Sequence, residues 1–424
     1  MRSFRFVHAA DLHLDSPFKG MASKMPEEVV SILREATFNV YGNIISLCID
    51  EKVDALLISG DVYDGADRSF KAQHRFTEGL KRLSEAGIRS YICHGNHDPL
   101  DGWQSRLDFP EGCFRFGPDA ESFPLYLDSP NEVIIHGISY PTREVRENLI
   151  PRFKELAKGD FNIGIVHANV GENPDHDPYA PCSVSDLQET GFDYWALGHV
   201  HTRSILKDSH PTIVYPGNPQ GRHINEKGPR GVYLVDVDES GNITPEFKAI
   251  DLVRWDLLDI DAGDMESEQA FLDTLSETFQ KSLVAAAGKS VVVRVNLKGS
   301  SPIHASLIRD DYVDDVRDEL NEQYGYQTPF LWCERISVST SPPFDRTQRV
   351  NGTDLIADLL KLSDEVASDD SAVAELVDSI SQIYTQGKVG KHTKAFLPDR
   401  EGIIELLYQA ENIYLAGLLE EEGQ

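Results

Sequence analysis

The chain begins with the apolar run Phe4-Arg5-Phe6-Val7-His8-Ala9, and the polar segment Ala10-Asp11-Leu12-His13 follows it directly. The first run is short and mostly apolar, which is typical of a β-strand. It leads into an aspartate and a histidine, side chains of the kinds that bind divalent metal ions. Further short apolar runs, which include Val133–Ile135, Thr212–Tyr215 and Gly231–Val235, alternate with helical patterns over Pro26–Glu51 and Ser69–Ala86. This alternation predicts an α/β layered domain over about the first 235 residues.

Five of the predicted strands end in residues of the same chemical kinds. The strands and the residues that follow them are Phe4–Ala9 with Asp11 and His13, Ala55–Ser59 with Gly60 and Asp61, Ser90–Cys93 with Gly95, Asn96, His97 and Asp98, Asn162–Val166 with His167, and Tyr194–Leu197 with Gly198, His199 and His201. Ligands of open α/β sheets bind at the carboxyl ends of the strands. One such ending is an ordinary turn, but five at equivalent positions predict a single metal site.

The number and type of these side chains predict the metal content. The candidate ligands are Asp11, His13, Asp61, Asn96, His167, His199 and His201. A single ion with an open position needs only about three or four protein ligands, so this set predicts two ions that share a bridging carboxylate. Oxygen and imidazole donors without thiolate favour Mn²⁺, with Fe or Zn²⁺ as alternatives, over Mg²⁺. Paired metal ions are suited to phosphoryl transfer, so hydrolysis of a phosphate ester is the predicted chemistry.

The pattern along the chain changes after Gly241-Asn242. The segments Val253–Ile260, Glu266–Ala286 and Val291–Leu297 predict a small α+β unit, and the consecutive prolines Pro342 and Pro343 predict its end. The remaining residues are acidic with helical periodicity, and Leu355, Leu359 and Leu362 fall on one predicted helix face. We therefore predict a catalytic domain over residues 1–240, an α+β domain over 250–340 and a helical region over 345–424.

The overall charge is strongly negative, with 40 Lys and Arg against 70 Asp and Glu, a net of −30 over 424 residues. Residues 1–250 carry 25 basic and 37 acidic side chains, whereas residues 251–424 carry 15 and 33. Proteins that bind nucleic acid by themselves are usually basic. Because most of the excess lies beyond residue 250, and because bound divalent ions would offset Asp11 and Asp61, the charge does not exclude a nucleic-acid substrate. It predicts that the protein binds DNA weakly on its own.

Five cysteines without a C-x-x-C pair indicate reduced thiols rather than a disulfide framework or a zinc ribbon. The first residues lack the apolar segment of a signal peptide. No apolar run approaches the ~18 residues of a membrane span. We therefore expect a cytoplasmic protein without a membrane partner.

The five blocks around these ligands, in their order, resemble the motif set of the calcineurin-like metallophosphoesterases. The resemblance covers about the first 235 residues, and the blocks are Asp11-Leu12-His13, Gly60-Asp61, Gly95-Asn96-His97-Asp98, His167 and Gly198-His199-Val200-His201. The opening Ala10–Asp15 and the later Tyr215-Pro216-Gly217-Asn218-Pro219-Gln220-Gly221-Arg222 look most like the bacterial SbcD-type DNA repair exonucleases. The resemblance implies a metallophosphoesterase β-sandwich flanked by helices, then a small DNA-capping α+β domain and a helical C-terminal region that binds an SMC-like coiled-coil ATPase.

The resemblance also implies a role for each site residue. Asp11, His13, Asp61 and His201 would hold one metal ion, and Asp61, Asn96, His167 and His199 the other. His97 would face the scissile phosphate and assist the leaving oxygen, with Asp98 orienting its imidazole. The residues alone agree that one histidine is left over after two ions are satisfied, but they do not say which.

Three further positions stay open between two interpretations. Arg222 and His223 follow a Pro-Gly-Asn-Pro turn and either reach a phosphate or only build their loop. Asp64, three residues after Asp61, is predicted to be a turn residue or a support to the ligands rather than an eighth ligand.

The leading hypothesis is a two-metal phosphodiesterase acting on DNA, as the nuclease subunit of an SMC-like ATPase complex and compatible with a homodimer. One alternative is a phosphatase or cyclic-nucleotide phosphodiesterase of the same superfamily with a small substrate. The other is a scaffold subunit whose main work is to dock the ATPase.

Overall fold

The structure, a computed structural model, describes residues 1–16, 25–65, 69–102, 108–127, 132–171, 177–343, 346–385, 398 and 400–422. The strands are β1 (Phe4–Ala9), β2 (Ala55–Ser59), β3 (Arg89–Cys93), β4 (Cys113–Arg115), β5 (Glu121–Leu125), β6 (Val133–Gly137), β7 (Phe161–His167), β8 (Tyr194–Gly198), β9 (Ser204–Lys207), β10 (Thr212–Tyr215), β11 (Gly231–Val237), β12 (Ile243–Ala249), β13 (Val253–Asp261), β14 (Ser290–Ser300) and β15 (Leu331–Ser341).

The helices alternate with these strands and then form the C-terminal region. They are α1 (Glu27–Asp50), α2 (Phe70–Glu85), α3 (Val184–Gln188), α4 (Glu268–Ala285), α5 (His304–Leu307), α6 (Tyr312–Tyr324), α7 (Arg346–Arg349), α8 (Leu355–Ser368), α9 (Asp370–Thr385) and α10 (Arg400–Glu422), with a 3₁₀ turn at Ile150–Phe153. No helix among the described residues is both long enough and apolar enough to span a membrane.

Twelve of the strands form two six-stranded sheets. The first sheet has the order β12-β11-β1-β2-β3-β4, and the second has the order β5-β6-β7-β8-β10-β9. In the first sheet β1, β2 and β3 run parallel, with Ala9 beside Ile58 and Ser59 beside Cys93. In the second sheet β6, β7 and β8 also run parallel, and His167 lies beside Gly198. The carboxyl ends of β1, β2 and β3 therefore lie at one edge, as do those of β7 and β8.

Apolar side chains from both sheets pack into one core. Phe6, Leu57 and Tyr91 from the first sheet join Ile163 and Tyr194 from the second in a single buried cluster. The alternate residues of the first sheet face outward, where they are covered by α1 and α2. Because parallel strands are buried on both faces, their sequences are continuous apolar runs. The predicted α/β sandwich flanked by helices is confirmed.

Helix α2 shows how the local sequence sets such a covering element. The Ser69 side chain caps the helix by accepting a hydrogen bond from the Ala72 amide at 3.0 Å. One face of the helix then buries Phe76, Leu80 and Leu83 against the sheet.

The chain groups into two compact units. The first contains Met1–Leu257, Thr278–Arg294 and Glu319–Arg335, and the second contains Leu258–Glu277, Val295–Asp318 and Ile336–Gln424. The strands β13, β14 and β15 form a third sheet in that order. The division into residues 1–240, 250–340 and 345–424 stays a prediction. All the candidate site residues belong to the first unit.

The three leucines predicted to share one face of α8 differ in their surroundings, since Leu359 packs on the buried cluster of Ile356, Leu360 and Leu415. Leu355 and Leu362 are 68% and 55% exposed, whereas Ile356 and Leu360 are buried. Ile356 and Leu360 pack with Leu415 of α10, so the contact with α10 determines which side of α8 is buried.

Candidate metal centre

The loops that follow β1 and β2 run side by side and bring the first two ligand blocks together. The amide of Asp11 donates to the carbonyl of Gly60 at 3.1 Å, and the amide of His13 donates to the carbonyl of Asp61 at 3.0 Å. These backbone hydrogen bonds continue the pairing of the two parallel strands beyond their ends. The side chains of both loops are therefore held at the same edge of the sheet.

Several of the candidate ligands have a backbone conformation that non-glycine residues seldom adopt. The φ angles of Asp11, His13, Asp61 and His199 are 53°, 42°, 49° and 101°. Residues in this left-handed region cost free energy, and they cluster at functional sites where the surrounding structure over-determines them. Four of the ten non-glycine residues with positive φ in the described part of the chain are thus residues that the sequence nominates for metal binding.

Two glycines allow the strands to approach one another at the site. Gly60 has a φ of 92°, and a Cβ there would lie 2.4 Å from Nδ1 of His167. A Cβ at Gly198 would lie 1.8 Å from the carbonyl oxygen of Ser59. Any larger residue would push the two sheets apart where the ligands meet.

The first group of potential ligands consists of Asp11, His13 and His201, whose ligand atoms lie within 4.8 Å of one another. Nε2 of His13 is 3.1 Å from Nε2 of His201 and 3.8 Å from Oδ2 of Asp61. Asp11 and His13 are buried, and the His201 side chain is 25% exposed. The group therefore has one side open to solvent.

The second group consists of Asp11, Asp61 and His167, all buried. Nε2 of His167 lies 3.4 Å from Oδ2 of Asp61 and 3.0 Å from Oδ1 of Asn96, so the predicted amide ligand joins this group. The two groups share Asp11, and Asp61 reaches His13 of the first group as well.

His199 adjoins the second group through its ring and its backbone. Its ring centroid lies 5.2 Å from that of His167, and its amide donates to the Asp11 carboxylate at 3.1 Å. Its Nε2 is 3.0 Å from the carbonyl oxygen of Asp177. The structure thus brings all seven predicted ligands into one cluster.

The orientation of the imidazoles fits a divalent cation. Nδ1 of His167 donates to the Ser59 carbonyl at 3.0 Å, and Nδ1 of His201 donates to the Glu226 carboxylate at 2.7 Å. Histidines that bind metal usually donate the other ring N–H in this way. In both residues the remaining nitrogen, Nε2, faces the carboxylates of the cluster. A bound cation there would take the place of a proton on Nε2 and offset the charge of the carboxylates.

Burial and the neighbouring charges perturb the pKa values in the cluster. Burial raises the pKa of Asp11 above its usual range. For Asp61 the opposing effect of burial is outweighed by His167, and its pKa is lowered. Burial works against protonation of His167 too, but Asp61 and Asp11 raise its pKa to about 9. Burial, helped by the charge of Arg222, lowers the pKa of His13 to about 3. Four buried titratable groups that perturb one another's pKa values are typical of a functional site.

His97 lies at the solvent side of this cluster, where it was predicted, but Asp98 does not orient it. Oδ2 of Asp98 lies 2.8 Å from Nδ1 of His94 and 2.9 Å from the amide of Val62. Since Asp98 is buried beneath the loop, its described contacts stabilise the backbone rather than the imidazole of His97. The orienting role predicted for Asp98 is therefore wrong.

The carboxylate beside His97 belongs to Asp64. Nδ1 of His97 lies 3.3 Å from the carbonyl oxygen and 3.8 Å from Oδ1 of Asp64. The same Oδ1 is 3.0 Å from Nδ1 of His13. Asp64 thus supports two histidines, in agreement with its predicted supporting role.

Glu226 is a site residue that the sequence did not reveal. Its side chain is 4% exposed, and its Oε1 accepts the hydrogen bond from His201. Burial alone would raise the pKa of Glu226, but His201, His223 and Arg222 lower it well below its usual range. The only sequence signal is its place four residues after Arg222, which is too weak to nominate it.

A two-sheet α/β sandwich with aspartates, histidines and an asparagine at its strand ends defines a metallophosphoesterase. Residues 4–203 match the calcineurin-like phosphoesterase family, and residues 255–341 match the middle domain of metallophosphoesterase YhaO. The chain belongs to the calcineurin-like metallophosphoesterases, a family of hydrolases, which confirms the predicted resemblance.

Particular relatives agree with this assignment. The chain is 37% identical to the uncharacterized metallophosphoesterase YhaO of Bacillus subtilis, over 79% of this chain and 81% of the relative. It is 25% identical to the DNA double-strand break repair protein Mre11 of Methanopyrus kandleri, over 70% of this chain and 66% of the relative. It is also 25% identical to a subunit of the nuclease SbcCD of Bacillus subtilis, over 59% of this chain and 72% of the relative.

Proposed function

We propose that this protein is a phosphodiesterase that cleaves DNA with two divalent metal ions, Mn²⁺ being favoured by the donor set. The observation that carries the proposal is the pair of adjoining ligand groups that share Asp11, are linked through Asp61 and lie beside the solvent-facing His97. Two adjoining groups of mixed carboxylate and imidazole donors are what a two-metal hydrolase requires.

The ligands divide between the two ions as the family resemblance implies. Asp11, His13, Asp61 and His201 would hold one ion, and Asp61, Asn96, His167 and His199 would hold the other. When bound, such ions supply a water molecule of lowered pKa and offset the negative charge of the phosphate.

His97 is suited to protonate the leaving oxygen. Its side chain is 35% exposed, and its amide donates to Oδ1 of Asp61 at 2.9 Å, which attaches its loop to the ligand cluster. The carbonyl oxygen of Asp64 can only accept, so the Nδ1–H of His97 points toward it. Nε2 is left to face solvent, and none of the described residues bonds to it. A group placed in this way can deliver a proton to a sugar oxygen as the ester bond breaks.

DNA as the substrate is supported by the relatives rather than by the site alone. The Methanopyrus kandleri relative is a DNA double-strand break repair protein, and one Bacillus subtilis relative is a nuclease subunit. With a net charge of −30, we expect weak binding to DNA in the absence of a partner.

We further propose that the acidic region over residues 345–424 docks an SMC-like ATPase. Leu355 and Leu362 expose apolar side chains on the surface of α8, while the opposite side of the helix packs on α10. A double Leu355→Asp, Leu362→Asp variant should lose co-purification with the ATPase and keep the metal content. Unchanged co-purification would exclude this surface as the docking site.

The function is tested by incubating the purified protein with labelled single- and double-stranded oligonucleotides, cyclic nucleotides and nucleoside monophosphates. Each substrate is offered with Mn²⁺, with Mg²⁺ and with EDTA, and the His97→Gln variant purified in parallel controls for contaminating nuclease. We expect Mn²⁺-dependent cleavage of oligonucleotides that His97→Gln lacks. Faster hydrolysis of monoesters or cyclic nucleotides would instead favour a small-substrate enzyme, and the absence of any cleavage, with the ATPase present, would favour a scaffold.

A further inference from the structure

Arg222 lies behind the ligand cluster and contacts two of the carboxylates that support it. Its side chain is 11% exposed. Nη1 donates to Oδ1 of Asp64 at 2.8 Å and to Oγ of Ser16 at 3.1 Å. The backbone amide donates to Oε2 of Glu226 at 2.7 Å, and Nη2 reaches Oε1 of the same carboxylate at 3.5 Å. One residue therefore joins two carboxylates that are distant in sequence.

Both of these carboxylates contact site histidines at their Nδ1 atoms. Oδ1 of Asp64 is 3.0 Å from Nδ1 of His13 and 3.8 Å from Nδ1 of His97. Oε1 of Glu226 accepts the hydrogen bond from His201 at 2.7 Å. Arg222 is thus one contact away from two predicted metal ligands and from the predicted proton donor.

We infer that Arg222 is a positioning residue that sets the orientation of His13, His97 and His201 through Asp64 and Glu226. The inference rests on the proposed function for its catalytic consequence, but its effect on metal binding is independent of the substrate. A guanidinium presents several donors in a fixed plane, so one side chain can hold both carboxylates at once. Without the guanidinium, the two largely buried carboxylates would lose the cation that links them, while Glu226 would still accept from the backbone amide at position 222.

A lysine cannot replace this arrangement. Its ammonium group is a compact charge at the end of a flexible stem, and it can satisfy Asp64 or Glu226 but not both in the observed geometry. The Arg222→Lys variant therefore separates positioning from simple charge compensation.

The rival role for Arg222 is direct contact with a substrate phosphate. The two roles differ in what they change, because a substrate contact acts on KM whereas a positioning residue acts on the metal ligands even when no substrate is present. Measurement of Mn²⁺ affinity in the substrate-free protein distinguishes them.

The test compares Arg222→Met and Arg222→Lys with Arg294→Met, whose guanidinium makes a two-bond pair with Glu334 away from the site. Mn²⁺ affinity is measured by competition with a fluorescent chelator, and kcat and KM are measured with an oligonucleotide and with a nitrophenyl phosphodiester. Far-UV circular dichroism and denaturant unfolding monitor the fold of each variant. Guanidinium chloride at millimolar concentration is added to the Arg222→Met variant to attempt rescue.

For both Arg222 variants we expect a loss of about 10–100-fold in Mn²⁺ affinity, and a lower kcat at saturating Mn²⁺ with KM little changed. We expect guanidinium to restore part of the affinity in the Arg222→Met variant and Arg294→Met to bind Mn²⁺ like the wild type. Unchanged Mn²⁺ affinity in a folded Arg222→Lys variant would overturn the inference, and a rise in KM alone would assign Arg222 to the substrate. If the wild type binds Mn²⁺ but cleaves no DNA, the proposed function fails, whereas the affinity measurement still decides the role of Arg222.

Discussion

Replacement of Glu226 by glutamine perturbs the site most selectively, because it removes one charge from a buried side chain with almost no change in volume. In the wild type four donors converge on this carboxylate. They are Nδ1 of His201 at 2.7 Å, the amide of Arg222 at 2.7 Å, Nε2 of His223 at 3.4 Å and Nη2 of Arg222 at 3.5 Å. A carboxylate accepts at both oxygens, whereas a carboxamide accepts at only one.

The free energy lost in Glu226→Gln follows from this difference in acceptors. In either orientation of the glutamine amide, its NH₂ group takes the place of an oxygen that accepted a hydrogen bond, so one donor is left without an acceptor. This costs about 1–3 kcal/mol when that donor is buried. The hydrogen bond that orients His201 is weakened or lost at the same time. Loss of such a partner to a ligating histidine reduces metal affinity by about 10–100-fold, which corresponds to about 1.4–2.7 kcal/mol.

The assay is Mn²⁺ binding to Glu226→Gln, measured by competition with a chelator, together with denaturant unfolding of the metal-free protein. Glu334→Gln is the matched control, because Glu334 is also a mostly buried carboxylate with an arginine partner, at 2.8 Å from Arg294. We expect both variants to lose stability and only Glu226→Gln to lose Mn²⁺ affinity. Mn²⁺ affinity within twofold of the wild type in Glu226→Gln would refute the assignment of Glu226 as a support of His201.

Four further outcomes are expected. His97→Ala keeps its Mn²⁺ content but loses about 10²–10⁴-fold in the rate of oligonucleotide cleavage. Asp61→Ala loses both Mn²⁺ and cleavage. Metal analysis and a cleavage assay check both variants, and loss of Mn²⁺ from His97→Ala would contradict the assigned roles. The defect of His97→Ala should be smaller with a nitrophenyl ester, whose leaving group needs no proton, and an equal defect on both substrates would contradict a proton-donor role. Gly198→Ala places a Cβ 1.8 Å from a backbone carbonyl oxygen and should cost about 3 kcal/mol or more in unfolding free energy. Gly42→Ala, at a position within α1 where a Cβ meets no neighbouring atom, should instead stabilise the protein by about 0.5–1 kcal/mol. Similar unfolding midpoints for the two variants would disprove this packing. His8 has a folded-state pKa of about 3 because it is buried, against 6.5 when exposed. The unfolded chain therefore takes up its proton first as the pH falls, and between pH 7.5 and pH 5 the wild type should lose about 2 kcal/mol more unfolding free energy than His8→Gln in denaturant titrations. An equal loss in both proteins would contradict this prediction.

The strands that the sequence predicts and those it misses differ in their place in the sheets. All eight strands predicted before residue 240 exist, with ends within two residues of those expected. The four that went unpredicted, β4, β5, β9 and β12, are the four edges of the two sheets. An edge strand is only partly covered, as the exposed positions along β9 and β12 show, so it lacks the continuous apolar run that marks a central parallel strand.

The same distinction holds for the C-terminal helices. Helical periodicity in α8 was visible, but it did not show which of its leucines pack within the chain and which are exposed. Leu360 rather than Leu362 is buried since α10 packs on that side. A partner segment more than 40 residues away along the chain leaves no local sign of which leucines it covers.

By itself the sequence determined the donor atoms of the site. Asp11, His13, Asp61, His167 and the other predicted ligands lie at or just after the ends of strands that local apolar patterns indicate, and parallel strands place their carboxyl ends together. Residue type, order and strand position were enough to indicate a metallophosphoesterase.

Only the tertiary structure decided which carboxylate supports which imidazole. Asp98 adjoins His97 in sequence but turns inward to His94, while Asp64, 33 residues before His97, supplies the neighbouring oxygen. Glu226 reaches His201 from 25 residues further along the chain. Such pairings depend on how loops from different strands fold over one another, and the orientation of a side chain at a strand end depends on its contacts in space rather than on its neighbours in sequence.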